Sequence, residues 1–145
     1  MQIRGTRGKS GLGVVSAYLL SKEVGEAAIR FYVDTGASHT TIAYRDALRI
    51  GIDYKKLKKA PFKVSGVGGV VDAYLLPNCM LLFQFERSAY IEYLSGIIVL
   101  KYDPRNKEEL KRALTVPSLL GIDFLRHYNV RFTDTKVILN NNKIV

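Results

Sequence analysis

Apolar residues in this chain fall in many short runs separated by turn signals, and few of them repeat at helical spacing. Residues 14–20 predict a strand. A turn over 22–26 holds Gly25, and residues 28–33 predict a second strand, so the two form a hairpin. Residues 43–50 predict a short helix, stopped by Gly51 at the position a helix C-terminus favours. Residues 62–64 and 70–75 predict strands joined by a glycine-rich tip over 65–69. Further strands are expected at 80–85 and 97–100. A charged helix opens after Pro104 over 105–114, and another short helix covers 122–128. Residues 130–132 and 136–139 predict a closing hairpin. Many short strands with few helices argue for a closed β-barrel or a sandwich.

The chain has 145 residues, which suits one compact domain able to bury a core without metals or disulfides. Residues 1–13 are rich in glycine and basic residues and are expected to form a flexible N-terminal arm ahead of a single domain over 14–145. The lone cysteine, Cys79, excludes an intramolecular disulfide and reads as a buried structural thiol. No apolar run is long enough to span a bilayer. Residues 11–20 make a poor signal peptide, being broken by Ser16 and Tyr18, so a cytoplasmic protein without a membrane partner is expected. Net charge is +9, much of it from five lysines within residues 55–63 and three cations within 4–9. Such patches attract anionic partners, but no motif for reading nucleic acid accompanies them. A solvated face is the plainer reading, and nucleic acid is not expected as a partner.

Candidate chemistry begins where the second strand ends, at Asp34-Thr35-Gly36. An apolar strand ending in a carboxylate, a small hydroxyl and a glycine presents the acid from a rigid edge, with a glycine that permits close backbone approach. Alone, this is also an ordinary strand-ending turn. Two later segments, Val67-Gly68-Gly69 and Leu119-Leu120-Gly121-Ile122-Asp123-Phe124-Leu125, follow Val33-Asp34-Thr35-Gly36-Ala37-Ser38 in order. In that order the chain resembles the retropepsin-like (retroviral-type) aspartic peptidases over residues 14–139.

The resemblance implies a mainly-β fold, a closed acid-protease barrel with two or three short helices. It implies an aspartic endopeptidase in which Asp34 is the catalytic carboxylate. Thr35, Gly36 and Ala37 would support the active-site loop, with Thr35 bracing the two loops of a dimer. Val67, Gly68 and Gly69 would form the flap over an extended or unfolded polypeptide substrate. Leu119, Leu120 and Gly121 would brace the loop from below. No cofactor and no metal are required. A second Asp-Thr pair, at Asp134-Thr135, is followed by Lys136 where glycine is needed, so the second carboxylate must come from another copy of Asp34 in a homodimer. The chain departs from the viral pattern at Ile122, where arginine is common, and Asp123 or Arg126 is expected to supply bracing instead. Residues 101–117 read as an insertion that covers part of the cleft or extends the dimer contact. The competing reading keeps the fold as a non-catalytic dimerisation or peptide-binding module.

Other motifs fail on their own terms. Gly8-Lys9-Ser10 lacks the earlier glycine of a phosphate-binding loop, since Ile3 stands there. Gly66 and Gly68 lack the last glycine of a dinucleotide fingerprint, since Val71 replaces it. His39 and His127 have no metal-ligand spacing. His39 reads as a polar loop residue near the cleft, and His127 as structural.

Overall fold

The computed structural model describes residues 2–66 and 69–141. Strands β2 (Gly13–Ser21) and β3 (Gly25–Val33) form the expected hairpin, in register from Val14 opposite Tyr32 to Ser21 opposite Gly25. Gly25 has φ of 80°, a left-handed conformation that costs a glycine little. Strand β4 (Thr41–Ile42) leads into helix α1 (Tyr44–Ile50). Gly51 closes that helix at φ 74°, its N–H donating to Ala47 and Leu48 carbonyls. A single 3-10 turn, Tyr54–Lys56, precedes β5 (Lys58–Gly66). Then come β6 (Gly69–Phe85), β7 (Ser88–Lys101), α2 (Lys107–Ala113), β8 (Ser118–Leu120), α3 (Ile122–Leu125), β9 (Asn129–Phe132) and β10 (Lys136–Asn140).

Six strands close a barrel in the order β6-β7-β4-β8-β3-β2, and the ring shuts where β2 pairs with β6 at Tyr18–Leu82 and Leu20–Met80. Closure leaves no free edge within the ring. Strand β5 continues from β6, and β1 (Gln2–Arg7), β10 and β9 continue from β2. Inward side chains such as Phe31, Leu81, Phe83, Ile97 and Phe124 are fully buried and fill the interior. Cys79 is among them. Its thiol donates to the Leu76 carbonyl at 3.3 Å, and burial pushes its pKa up to about 12.

Three expectations need correction. The N-terminal segment read as an arm is instead strand β1 (Gln2–Arg7), paired with β10 and β2. Two glycines of the segment, Gly5 and Gly13, mark close packing. A Cβ at Gly5 would lie 2.0 Å from the Val14 carbonyl oxygen. Ile3 is buried, and Arg7 donates to the carbonyls of Gly11 and Thr133. Second, the strands expected at 70–75 and 80–85 are one, β6, which continues through Pro77. It runs on through Asn78, which takes φ of 50° where the pairing with β7 skips from Pro77–Gly96 to Cys79–Leu94. Third, β7 begins at Ser88, well before residue 97. Its outward face carries exposed Ile91 and Tyr93, which hides the alternation, and the turn Glu86-Arg87 contains no glycine, proline or asparagine.

Candidate active site

Strand β3 delivers Asp34 at its end because β8 runs parallel beside it, with Val33 opposite Leu120. The Asp34 N–H donates to the Leu120 carbonyl at 3.1 Å. Asp34 Oδ1 accepts the Gly36 N–H at 2.9 Å, which leaves Oδ2 without a bond inside the loop. The Ala37 N–H closes the turn onto the Asp34 carbonyl at 3.2 Å, and Ala37 in turn accepts the Ile122 N–H at 2.8 Å. Gly121 is where the two segments touch. A Cβ there would sit 2.4 Å from the His39 carbonyl carbon, so only glycine lets the chains approach this closely. Leu120 is buried and Leu119 lies on the cleft side. Thr35 is exposed, and its hydroxyl has no partner among the described residues.

Of the two residues expected to replace the missing arginine, Asp123 takes part and Arg126 does not. The Asp123 carboxylate accepts the Thr40 N–H at 2.9 and 3.0 Å, the Thr40 hydroxyl at 2.7 Å and the Phe124 N–H at 2.8 Å. Thr40 Oγ1 also accepts the Gly121 N–H at 3.1 Å. The end of the loop is thus bound to the start of α3 by charge-assisted hydrogen bonds. Arg126 instead points its Nε at His127 on the surface.

Sequence reasoning missed Thr40, and with it a second joint. Ser118 donates to the buried Asp46 carboxylate at 2.6 Å and accepts the Ala43 N–H at 2.9 Å. Arg49 pairs with Asp46 at 3.1 Å and reaches the Ala28 carbonyl at 2.7 Å. This joint fixes α1 to β8 behind the loop. Partners lying 72 residues apart leave no local signal.

The loop floors an open cleft of about 800 Å³. Phe62 to Ser65 of β5 form one wall, and Val71, Leu100 and Tyr102 another. Segment 101–117 contributes Tyr102, Thr115, Val116 and Pro117 to the lining. His39 sits at the rim, stacked on Phe62 at 5.5 Å, with Nδ1 held by Ser38 Oγ at 2.9 Å. Gly69 opens β6 opposite Gly66. Val67 and Gly68, expected at the flap tip, lie outside the described residues. Asp134 lies in the turn between β9 and β10, remote in topology from the cleft floor. Among the described residues no cluster of three or more His, Cys, Asp or Glu side chains is arranged to hold a metal ion, and no helix is long and apolar enough to cross a membrane.

Residues 21–77, which contain the Asp34 loop, match the family model described as Aspartyl protease. No curated protein sequence matches the chain significantly. Among solved structures, a retropepsin-like aspartic protease from Rickettsia conorii is similar over 96% of this chain and 90% of its own, at 22% identity and a TM-score of 0.56. A further match is the EIAV protease complexed with the inhibitor HBY-793, at 14% identity over 77% of this chain and 84% of its own, with a TM-score of 0.43. The family match over residues 21–77 is to aspartyl proteases, and the fold is shared over nearly the whole chain with a retropepsin-like aspartic protease.

Proposed function

We propose that the chain is an aspartic endopeptidase that works as a homodimer, with Asp34 of each copy forming one catalytic pair. The observation that carries this reading is a carboxylate held at the floor of a cleft, with Oδ1 tied by Gly36 and no second acid among the described residues that line the cleft. One carboxylate cannot serve as acid and base at once. A twofold axis beside the exposed Thr35 would supply the second from an identical loop.

Two carboxylates held together share one proton, because both cannot ionise cheaply at close range. The ionised member takes a proton from a water, which attacks the peptide carbonyl. The protonated member donates to the developing oxyanion, and a proton then reaches the leaving nitrogen. The bonds that fix Asp34, Ala37 and Thr40 to Leu120, Ile122 and Asp123 serve this chemistry by holding the carboxylate in place before substrate arrives. The substrate is an extended polypeptide, laid between the floor and the β5–β6 hairpin, which acts as the flap.

The test is cleavage of a denatured protein from acid to neutral pH by wild type and by Asp34→Asn. Wild type should cut, with a bell-shaped profile set by the pair. Asp34→Asn should lose at least roughly 100-fold in kcat. Equal cutting by both proteins would end the assignment of Asp34. No cutting by a confirmed dimer would favour the non-catalytic peptide-binding module.

A further inference from the structure

Beside the cleft lies a second hollow, of about 700 Å³, between the β5–β6 hairpin and segment 101–117. The two adjoin at Lys63, Val71 and Tyr102, which line both. No residue of the Asp34 loop reaches the second hollow. Its walls carry four cations, Lys63 on the hairpin and Lys101, Arg105 and Arg112 on the facing segment. The acids among them are Asp72, Asp103 and Glu109.

Most of these cations are not answered within the chain. Asp72 is held by Lys63 and, from outside the hollow, by Lys59. Glu109 is engaged at the start of α2, where its carboxylate accepts the Arg105 N–H at 2.8 Å. It is near enough in sequence to pair with the side chain of Arg105 or of Arg112, and does neither. Lys101 lies over the Tyr54 ring at 5.7 Å. Among the described residues Lys101, Arg105 and Arg112 form no ion pair, and Asp103 alone is left to face them. Scattered surface cations are ordinarily just solvated. These three instead line one concave wall, where charges of one sign reinforce each other's field.

We propose that this hollow is an exosite for the carboxylate side chains of an acidic stretch in the polypeptide substrate, outside the residues that the cleft itself grips. The inference rests on the peptidase reading and names the substrate class that this surface selects. Carboxylates fit because each guanidinium offers a planar fork of donors that matches their two oxygens. A carboxylate on an aliphatic stem fits better than a bare ion, since Val70, 67% exposed, lines the same hollow beside Pro104 and Ala113. The source is the substrate chain because the two hollows are contiguous, so a peptide leaving the cleft past Lys63 and Tyr102 enters the second. Contacts this far from the reacting carbonyl are made equally before and during reaction, so they lower KM and leave kcat alone.

The experiment uses a pool of extended peptides, each made with a run of glutamates or of glutamines at one end or the other. Wild type is compared with Arg105→Gln with Arg112→Gln, and with Lys107→Gln with Lys111→Gln. The lysine pair removes the same charge from the same segment but lies outside the hollow. The pool is also bound to Asp34→Asn, with and without the arginine replacements, a readout that needs no turnover. At low salt, glutamate peptides should show a KM roughly 10-fold below their glutamine counterparts, for the run at one end only, with kcat unchanged. The arginine replacements should remove most of that difference, added salt should erase it in wild type, and the lysine replacements should keep it. Cutting of both peptide sets with equal KM would overturn the proposal and leave the peptidase reading standing. An equal loss in the lysine pair would also overturn it, since net charge alone would then be acting. If Asp34→Asn retains glutamate peptides through the arginines while wild type cuts none, the peptidase reading falls and the site stands. If no form binds or cuts any peptide, both fall.

Discussion

The floor of the cleft and its β5–β6 wall are held by different forces. The floor joins two segments far apart in sequence, residues 34–41 and 118–123, by backbone bonds and by the Asp123 carboxylate, which binds Thr40 through both its N–H and its hydroxyl. The wall is a local hairpin at the edge of the sheet, and its pairing is irregular between Lys59 and Lys63. Its side-chain ties are Lys59 and Lys63 to one Asp72, at 3.6 and 3.8 Å, with both lysines more than half exposed. Rigid hydrogen bonding is concentrated where a reacting group must be placed. Beyond its own ladder and screened charges, the wall is held by the pairing of β6 with β7, a small apolar cluster around Val71 and Leu100, and the Phe62–His39 stack. Among the described residues it has no buried charged tie like Asp123, a lighter construction than the floor's.

The largest effect after Asp34 itself should follow from cutting the floor's central tie. Asp123→Ala leaves the Thr40 N–H and the proton of its hydroxyl without an acceptor in a fully buried position, the hydroxyl keeping only the Gly121 N–H that it accepts. Loss of charge-assisted bonds to a buried group should cost about 3 kcal/mol of stability, read by urea unfolding. Turnover should fall with KM little changed, because the carboxylate is misplaced while the walls of the cleft remain. Asp123→Asn keeps one carbonyl acceptor and should recover part of both. Full activity in Asp123→Ala would show that the Asp34 loop holds its own shape, and the contrast between floor and wall would lose its functional meaning.

That same tie shows where sequence reading ends. The Asp34-Thr35-Gly36 turn, the glycine at 121 and the β2–β3 hairpin were legible because each is a local pattern with a local cause: a strand end, a tight approach, an alternating run. The Asp123–Thr40 bond was half legible. The absence of arginine at Ile122 pointed to Asp123, but nothing near Thr40 marks a partner 83 residues away. Gly5 was misread for a related reason. Glycine signals both looseness and close contact, and only the neighbouring Val14 carbonyl and Val137 side chain decide between them. Strand β7 was cut short because Ile91 and Tyr93 put apolar side chains on its outer face, erasing the period-two signal on which strand assignment depends.

A smaller effect is expected in the wall. Lys59→Ala with Lys63→Ala should change stability by under about 1 kcal/mol, since exposed ion pairs are screened and entropically costly. Any change should instead appear in KM and in its dependence on salt, because Lys63 also lines the cleft. A collapse of folding in this double variant would mean that the wall is as firmly built as the floor.

The smallest effect sets the limit of the wall's freedom. Strand β6 begins at the wall and runs on to Cys79, which is fully buried and packed in the barrel interior. If the looseness of the hairpin extended down the strand, this thiol would open to solvent. If it stops at the barrel, the thiol stays closed. Burial, aided by the negative charge of Glu23, pushes its pKa up to about 12, whereas an unfolded chain holds the ordinary value near 8.5. The raised value means that the folded state binds the proton more tightly. Its contribution to stability is therefore complete below the ordinary thiol range and is lost as pH rises toward about 12. At pH 9 an alkylating reagent should react with Cys79 only at the rate of global unfolding, measured in parallel by urea dependence. The Lys59 and Lys63 variants should leave that rate unchanged. Rapid alkylation at low urea would show that motion of the hairpin reaches the core, and β6 would then link wall and floor as one moving unit.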